Sequence, residues 1–413
     1  MSGSGTAMNA PETTPPMTPP AMQRKRRGPG VLIAVVVIIV IIALVVGLGY
    51  NAGWFKSSTT KPTALCTLPA ATSFKGEGST LVAPLMDQWA TSYGTGTQLT
   101  YDSAGSSSGI TAITDKVVDF GASDIPLTTA QLAGIPGLVS VPESVGAVVP
   151  IYNLAGITSL DFNGSVLAQM FDGTITNWNN TALQALNPTV TLPSATIIPV
   201  HRTGGSGTTF IFTSFLSLES SSWNTSYGKN PVWPSSITVG ASASGNGGEA
   251  DTVSTTPDAL GYVDLNYALN SASGVGIGDV KNPSGKFVRA SVADTASAIA
   301  DLSPTLPTGN QSWYNVSYLN APGASDYPIV GLTYVLLYGN LTSSFLSYSL
   351  TNAENLVDFL HWAITVGQSW SAPLYYAPIP SGIYTIDNAT LNAMTFDGSK
   401  ITVCVPTSGG APT

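Results

Sequence analysis

Three turns of small residues, each leading into an apolar pattern of helical spacing, most constrain the fold of this chain. The turns cover residues 76–80, 105–109 and 203–209 and consist almost wholly of Gly, Ser and Thr. Each can be read as a strand, a turn and the start of a helix. Strands that alternate with helices are typical of α/β folds, whereas β-rich repeats are not visible. The sequence therefore predicts an α/β protein.

Arg202 stands directly before the third turn, and outside the N-terminal basic cluster Arg289 is the only other arginine. A guanidinium offers a planar fork of donors suited to an oxyanion. The small residues after it let backbone N–H groups approach a ligand at a helix N-terminus, where the helix dipole favours negative charge. For one such turn alone, a surface loop capped by Ser206 or Thr208 is the alternative. Three turns and the arginine together favour an anion site.

Four motifs occur in a fixed order along the chain. They are G-x-G-S-T at 76–80, G-S-S-x-G at 105–109, D-F-G-A-S-D-x-P-L at 119–127 and R-x-x-G-S-G-T at 202–208. In this order the motifs resemble those of the phosphate-binding proteins that serve phosphate ABC importers, within the family of periplasmic-type solute-binding proteins. The resemblance extends over residues 70–400, nearly all of the chain after the N-terminal segment.

The resemblance implies two α/β lobes with a ligand cleft between them. Lobe one is expected at residues 66–150 plus 328–405, and lobe two at 151–327. The apolar segments 146–152 and 327–330 would cross between the lobes. Ligand contacts on both lobes would favour the closed form, which is how binding becomes a signal to a permease.

The resemblance also implies a set of phosphate-binding residues, namely Thr80, Leu81, Ser106, Asp124, Arg202, Ser206, Gly207 and Thr208. Asp124 is the expected acceptor for the proton that phosphate keeps near neutral pH and that sulfate lacks. The family commonly has an aspartate two positions after the motif arginine, and this chain has Gly204 there. Sulfate, molybdate or an organophosphate therefore remain alternative ligands, and import or sensing are both open.

Composition excludes several other functions. The 413 residues carry a net charge of −9, and only 9% are charged, which argues against nucleic acid as a partner. The nucleophile-elbow pattern lacks its last glycine, and the two histidines, His201 and His361, have no partners that suggest catalysis. We expect a protein that is not an enzyme and that uses no cofactor and no metal. We expect its protein partner to be an ABC permease. A surface-layer or adhesion domain without a ligand is the remaining alternative.

The N-terminal segment predicts a single-pass membrane anchor of the signal-anchor type. Residues 1–30 include a disordered, Pro-rich start and the basic cluster 24–27, and residues 31–50 are an uncharged apolar run long enough to span a bilayer. The positive-inside rule places the basic end in the cytoplasm and the binding domain outside the cell, at the cell membrane. Residues 51–65 would be a tether.

The two cysteines, Cys66 and Cys404, bracket the expected binding domain. Outside the cell, a disulfide between them is the more natural interpretation, and buried thiols are the alternative. Glycosylation would fit an exterior domain, because seven Asn-x-Ser/Thr sequons follow the apolar run: Asn163, Asn179, Asn224, Asn310, Asn315, Asn340 and Asn388.

Overall fold

The computed structural model describes residues 69–407 and 410, apart from 222, 224–227, 229–232, 234–239, 271–273 and 303. The predicted cytoplasmic segment, membrane span and tether, together with Cys66 and the sequon at Asn224, lie outside the described residues. Within the described ranges, no helix combines the length and the apolar character needed to cross a membrane.

Strands and helices alternate along most of the chain. The strands are β1 Ser73–Gly78, β2 Gln98–Asp102, β3 Phe120–Ser123, β4 Leu138–Tyr152, β5 Ser159–Phe162, β6 Ile198–Arg202, β7 Ala241–Ala243, β8 Ala259–Asp264, β9 Gly276–Lys281, β10 Phe287–Val288, β11 Val330–Tyr338, β12 Asn340–Leu341, β13 Thr395–Phe396 and β14 Ser399–Lys400. The helices are α1 Ala83–Ser92, α2 Ser106–Thr114, α3 Thr129–Gly134, α4 Gly164–Phe171, α5 Thr181–Leu186, α6 Gly207–Glu219, α7 Gly245–Thr255, α8 Leu265–Asn270, α9 Val292–Asp301, α10 Leu350–Ala363 and α11 Ser381–Asn392. Two short 3-10 helices, Val366–Trp370 and Ala372–Leu374, follow α10.

Two sets of parallel strands are joined by two antiparallel strands. The main sheet has the order β2-β1-β3-β11-β4-β8-β6-β7. Strands β2, β1 and β3 run parallel, as do β8, β6 and β7. Between them, β11 pairs antiparallel with both β3 and β4, and β4 pairs antiparallel with β8. We call the half with β1–β3 and β11 lobe one, and the half with β5–β10 lobe two.

The strand β4 belongs to both lobes. Its first ten residues, 138–147, pair with β11, and residues 148–152 pair with β8. All fifteen residues are buried, which is expected of a strand covered on both faces. The chain therefore passes from lobe one to lobe two without leaving the sheet, and it returns next to this strand, where Val148 N donates to Ile329 O at 2.9 Å.

The three small-residue turns are each followed by a helix, as the sequence pattern predicts. Helix α1 starts after residues 76–80, and helices α2 and α6 start within residues 105–109 and 203–209, respectively. The third turn supplies its own cap, because Ser206 Oγ accepts a hydrogen bond from Thr209 N at 3.2 Å. At the second turn, Gly105 has a φ of 104°, a conformation that side chains other than glycine's rarely adopt.

Each lobe has an aromatic centre. In lobe one, Phe359 packs against Phe74 and Tyr93 with ring centroids 5.3 Å apart in both pairs. In lobe two, Phe171 packs edge-on against Phe212 at 5.0 Å, and Phe212 stacks on Tyr262 at 4.4 Å. These aromatic centres lie between strands and helices that form α/β layers. The adhesion alternative predicts β-rich repeats instead of such layers.

Candidate anion-binding site

The predicted site residues lie together where the two lobes meet, and all are buried. Lobe one contributes three of the polar side chains, at Thr80, Ser106 and Asp124, and the backbone at Leu81; lobe two contributes Arg202, Ser206, Gly207 and Thr208. Since the strand and helix ends that carry these residues are far apart in sequence, the fold alone brings them together.

Direct hydrogen bonds connect the two lobes at this point. Gly207 N, at the start of α6, donates to Ser106 Oγ at 3.1 Å. Ser107 N, at the start of α2, donates to Gly205 O at 3.0 Å. Arg202 Nη2 donates to Thr80 Oγ1 at 3.3 Å. The structure is therefore a closed form, in which the helix N-termini of both lobes face each other.

Asp124 is the carboxylate of the site, and hydroxyl groups surround it. Its Oδ1 accepts from Ser79 Oγ at 2.5 Å and from Thr333 Oγ1 at 2.9 Å, and its Oδ2 accepts from Ser106 Oγ at 3.3 Å. Two carboxylate oxygens have about four acceptor positions, so one position on Oδ2 is left for a further donor. This geometry fits an acceptor for a protonated oxyanion.

The pKa of Asp124 is raised to about 6, chiefly because burial disfavours its charged form. The hydrogen bonds from Ser79 and Thr333, the charge of Arg202 and the hydrogen bond from Ser106 act in the opposite direction. At neutral pH the group is therefore mostly ionised and available as an acceptor.

More hydrogen-bond donors converge on Thr80 Oγ1 than this oxygen can accept from. Arg202 Nη2 lies 3.3 Å away, Asn246 N lies 3.2 Å away, and Asn246 Nδ2 lies 3.0 Å away. A hydroxyl oxygen has two lone pairs, so at least one of these three donors is left without a full hydrogen bond. The convergence of donors on one small acceptor indicates a place where an anion oxygen would be well bound.

Arg202 has further donors to spare. It ends β6, its side chain is buried, and its Nε and Nη1 atoms have no hydrogen-bond partner among the described residues. Buried donors without partners are costly, and an anion with several oxygens would satisfy them. Position 204, two residues later, is an exposed glycine and supplies no carboxylate.

Only glycine fits at position 207. A Cβ atom there would lie 2.3 Å from Asp124 Oδ2, well inside van der Waals contact. The missing side chain lets the first N–H groups of α6 reach the carboxylate and hydroxyls of lobe one. Leu81 takes part through its backbone, because its N–H donates to Ser79 Oγ at 3.0 Å.

Asn246 is a site residue that the sequence analysis missed. It is fully buried at the start of α7, and its Nδ2 donates to Thr80 Oγ1 and to Thr208 Oγ1, at 3.0 Å in both cases. Its Oδ1 accepts from Asp264 N at 2.9 Å, which fixes the amide orientation. Residues 244–248 are a fourth run of small residues at a helix start, and this pattern was the available signal.

Ser79 and Thr333, the two further hydroxyl donors to Asp124, were also missed. Ser79 belongs to the first motif, where only its neighbours were singled out. Thr333 lies inside β11, and its sequence surroundings are an ordinary buried strand. For cofactors, the described ranges contain no group of three or more His, Cys, Asp or Glu side chains that could hold a metal ion.

A cavity of about 360 Å³ adjoins the site between α6 and β11. Its walls are mainly apolar or aromatic, with Phe210, Ile211, Tyr314 and Leu332 among them. Asp124 is the one predicted site residue that also lines this cavity. The donors around Thr80 and Arg202 are therefore separate from it.

A two-lobed α/β fold with buried anion donors at the lobe interface defines a class of binding proteins, and comparison with known proteins agrees. The PBP superfamily domain matches residues 66–362. The phosphate-binding protein PstS of Xylella fastidiosa is 32% identical over 333 residues, which cover 79% of this chain and 86% of that protein. PstS of Haemophilus influenzae is 34% identical and covers 77% of this chain and 93% of its own length. The chain belongs to the PBP superfamily, with these PstS proteins as relatives, which confirms the resemblance drawn from the motifs.

Solved structures support the fold independently of the sequence. A high-affinity periplasmic phosphate-binding protein, solved with bound phosphate, aligns with a TM-score of 0.61 at 18% identity. The alignment covers 78% of this chain and 99% of that one. At this identity the likeness establishes the two-lobed fold and leaves the ligand to be argued from the residues.

Proposed function

We propose that this protein is an extracytoplasmic receptor for inorganic phosphate that delivers the anion to an ABC permease. The observation that carries the proposal is the excess of buried donors at the lobe interface. Arg202 and Asn246 together present more N–H groups than Thr80 can accept, while Asp124 keeps one acceptor position. Phosphate with one proton matches this arrangement, since it accepts from the donors and donates to the carboxylate. The names of the PstS relatives support the same ligand.

In this proposal the eight predicted residues bind phosphate, and Asn246 joins them. Arg202, the backbone N–H groups at the start of α6, and the hydroxyls of Thr80 and Thr208 donate to the anion. The Ser106 hydroxyl, which donates to Asp124 in the closed form, would turn from that carboxylate to the anion. The role is binding and release, not catalysis. Closure of the lobes around phosphate would present one defined surface to the permease.

Calorimetric titration of the full-length protein in detergent micelles tests the ligand. We expect phosphate to bind and sulfate and molybdate to bind much more weakly, because neither carries a proton for Asp124 near neutral pH. Equal or tighter binding of sulfate or molybdate would contradict the assignment of phosphate as the specific ligand and would favour that anion instead. No binding of any oxyanion would contradict the receptor function altogether.

Location forms the second half of the proposal. The apolar run at 31–50 would anchor the chain at the cell membrane, with the tether 51–65 and the binding domain outside. Protease added to intact cells should then release the domain while the basic end at 24–27 stays protected. Degradation of both ends together, or of neither, would contradict this topology.

Glycosylation of the sequons is part of the same proposal, and loss of mass after glycosidase treatment would test it.

A disulfide between Cys66 and Cys404 would join the two ends of the domain. Cys404 is buried and is not a free thiol in the structure. The closed loop would be 338 residues long, for which the loop-entropy description assigns about 6 kcal/mol to the cross-link. Mass spectrometry without reductant should find the linked peptides, and free thiols on the surface protein would remove the disulfide from the proposal.

A further inference from the structure

Arg202 is a buried cation that has no ion-pair partner in the part of the chain that the structure describes. The ion pairs of the described residues are Lys75–Glu77 and Arg289–Asp279, and neither involves Arg202. A buried charge is costly unless an opposite charge or several hydrogen bonds compensate it. Its single side-chain hydrogen bond, to Thr80, does not meet that need.

In the described part of the chain, Glu249 is a buried carboxylate that lacks a hydrogen-bond donor on one oxygen, whereas Arg202 lacks acceptors. It lies in α7 and is fully buried; its Oε1 accepts from Tyr262 N at 3.0 Å, and its Oε2 has no hydrogen-bond partner among the described residues. Tyr262 connects it to the arginine, because Arg202 N donates to the Tyr262 hydroxyl at 3.4 Å. Glu249 thus contacts the backbone of Tyr262, and the backbone of Arg202 contacts the hydroxyl of the same tyrosine.

Electrostatics link the two groups as well. Burial raises the pKa of Glu249 to about 8, and the nearby charge of Arg202 is the largest influence that lowers it. Arg202 also lowers the pKa of Asp124, but three hydroxyl donors already occupy that carboxylate. Glu249 is therefore the coupled carboxylate that is not committed to hydroxyl donors.

We propose that Glu249 is the counter-charge of Arg202 and that, when ionised, it limits how strongly the site attracts an anion. The inference rests on the proposed function, since it assigns a residue that tunes the affinity of the same site. Gly204 provides no carboxylate near the arginine, so the compensating charge comes from α7, later in the chain. Glu249 acts through Arg202 and is a positioning residue.

The sign of the effect follows from the charges. As pH rises through about 8, Glu249 of the anion-free protein ionises, and its negative charge offsets Arg202. A bound anion opposes that ionisation, so affinity for any given anion should fall over this range.

Other ionisable groups lie on the elements around Glu249. Helix α7 packs against β4, β6, β7, β8 and α8. The titratable or charged residues on those elements are Glu143, Tyr152, His201, Arg202, Tyr262, Asp264 and Tyr267. Of these, Arg202 and Tyr262 are the ones that act on the pKa of Glu249.

The test compares phosphate affinity at pH 7 and pH 9 in the full-length protein, the Glu249→Gln variant and an Asp251→Asn control. Gln keeps an oxygen for Tyr262 N and removes the charge, and Asp251 is an exposed residue of the same helix. At equal pH the titration of phosphate itself cancels between variants. We expect equal affinities at pH 7 and about three- to tenfold tighter binding by Glu249→Gln at pH 9, from a charge pair partly screened by the protein. The control should follow the unmodified chain at both pH values.

A second variant shows whether charge, rather than packing, is responsible. Position 204 has a φ outside the left-handed region and open space around a Cβ, so Gly204→Asp is compatible with the backbone. In the Glu249→Gln background it should lower phosphate affinity at both pH values, without a step near pH 8. A Glu249→Gln profile parallel to the unmodified one would overturn the inference while leaving the phosphate receptor intact. Absence of phosphate binding in the unmodified chain would overturn both.

Discussion

The two walls of the cleft differ in chemistry. The lobe-one wall consists of the hydroxyls of Ser79, Thr80 and Ser106 around the carboxylate of Asp124. The lobe-two wall presents donors, namely the guanidinium of Arg202 and the N–H groups at the starts of α6 and α7. In the proposed receptor, attraction therefore comes mainly from lobe two, and discrimination by protonation state comes from lobe one. This division predicts that substitutions on the two walls affect different properties.

Arg202→Ala should have the largest effect. A charge-assisted contact in a closed cleft is worth about 1.5–3 kcal/mol, so affinity for phosphate should fall about 10- to 150-fold or beyond detection. Calorimetry measures the loss, and thermal unfolding checks that the variant is folded. Arg289→Ala is the matched control, because Arg289 pairs with Asp279 at 2.8 Å and is not part of the site. Unchanged affinity in a folded Arg202→Ala variant would show that the Arg202 guanidinium does not contribute to phosphate binding.

Asp124→Asn should change selectivity as well as affinity. The amide keeps the size of the side chain and replaces an acceptor oxygen by a donor, so phosphate loses its proton acceptor while sulfate loses a repulsive neighbour. We expect about tenfold weaker phosphate binding and a smaller gap to sulfate in competitive titrations. If full selectivity persists, the discriminating wall is not in lobe one.

The same variant sharpens the comparison through pH. Burial raises the pKa of Asp124 to about 6, so the carboxylate is ionised at pH 8 and protonated below pH 5. The ratio of the dissociation constants of Asp124→Asn and the unmodified chain should be largest at pH 8 and should approach one as pH falls through about 6. A ratio that is constant from pH 5 to pH 8 would show that the charge of Asp124 is irrelevant to binding.

Asn246→Ala should have the smallest effect of the series. It removes one of several donors at Thr80 and the contact to Thr208, and neutral hydrogen bonds are worth about 1 kcal/mol, or about fivefold in affinity. Asn153→Ala is a suitable control, because Asn153 Nδ2 only holds the end of α7 through Val253 O and Ser254 O. Equal losses in both variants would point to the stability of lobe two rather than to the site.

Sequence reasoning reached the parts of this molecule that are encoded locally. Small residues before helices identify Ser106 and Gly207, because capping and close backbone approach depend on neighbouring positions. The motif around Asp124 carries the proposed acceptor for the same reason. The α/β alternation likewise follows from apolar periodicity, and the structure confirms it.

The partners of residues that act across long stretches of sequence were not predictable from local patterns. Asn246 meets Thr80 across 166 positions of sequence, and Thr333 reaches Asp124 across 209. Their neighbourhoods contain nothing beyond a Gly-rich helix start and a buried strand. Only the pairing of β11 with β3 and β4, which no local pattern specifies, makes Thr333 part of the site.

The strand β4, shared by both halves of the sheet, has a consequence for how the domain can be divided. Cutting the gene between the lobes would leave one piece with an exposed strand whose fifteen residues are all buried in the intact domain, and the other piece without its central partner. A receptor that opens and closes, as the proposed function requires, is thus built from two halves that cannot be made separately. Its unfolding should be a single cooperative event, even though the proposed function depends on relative movement of the halves.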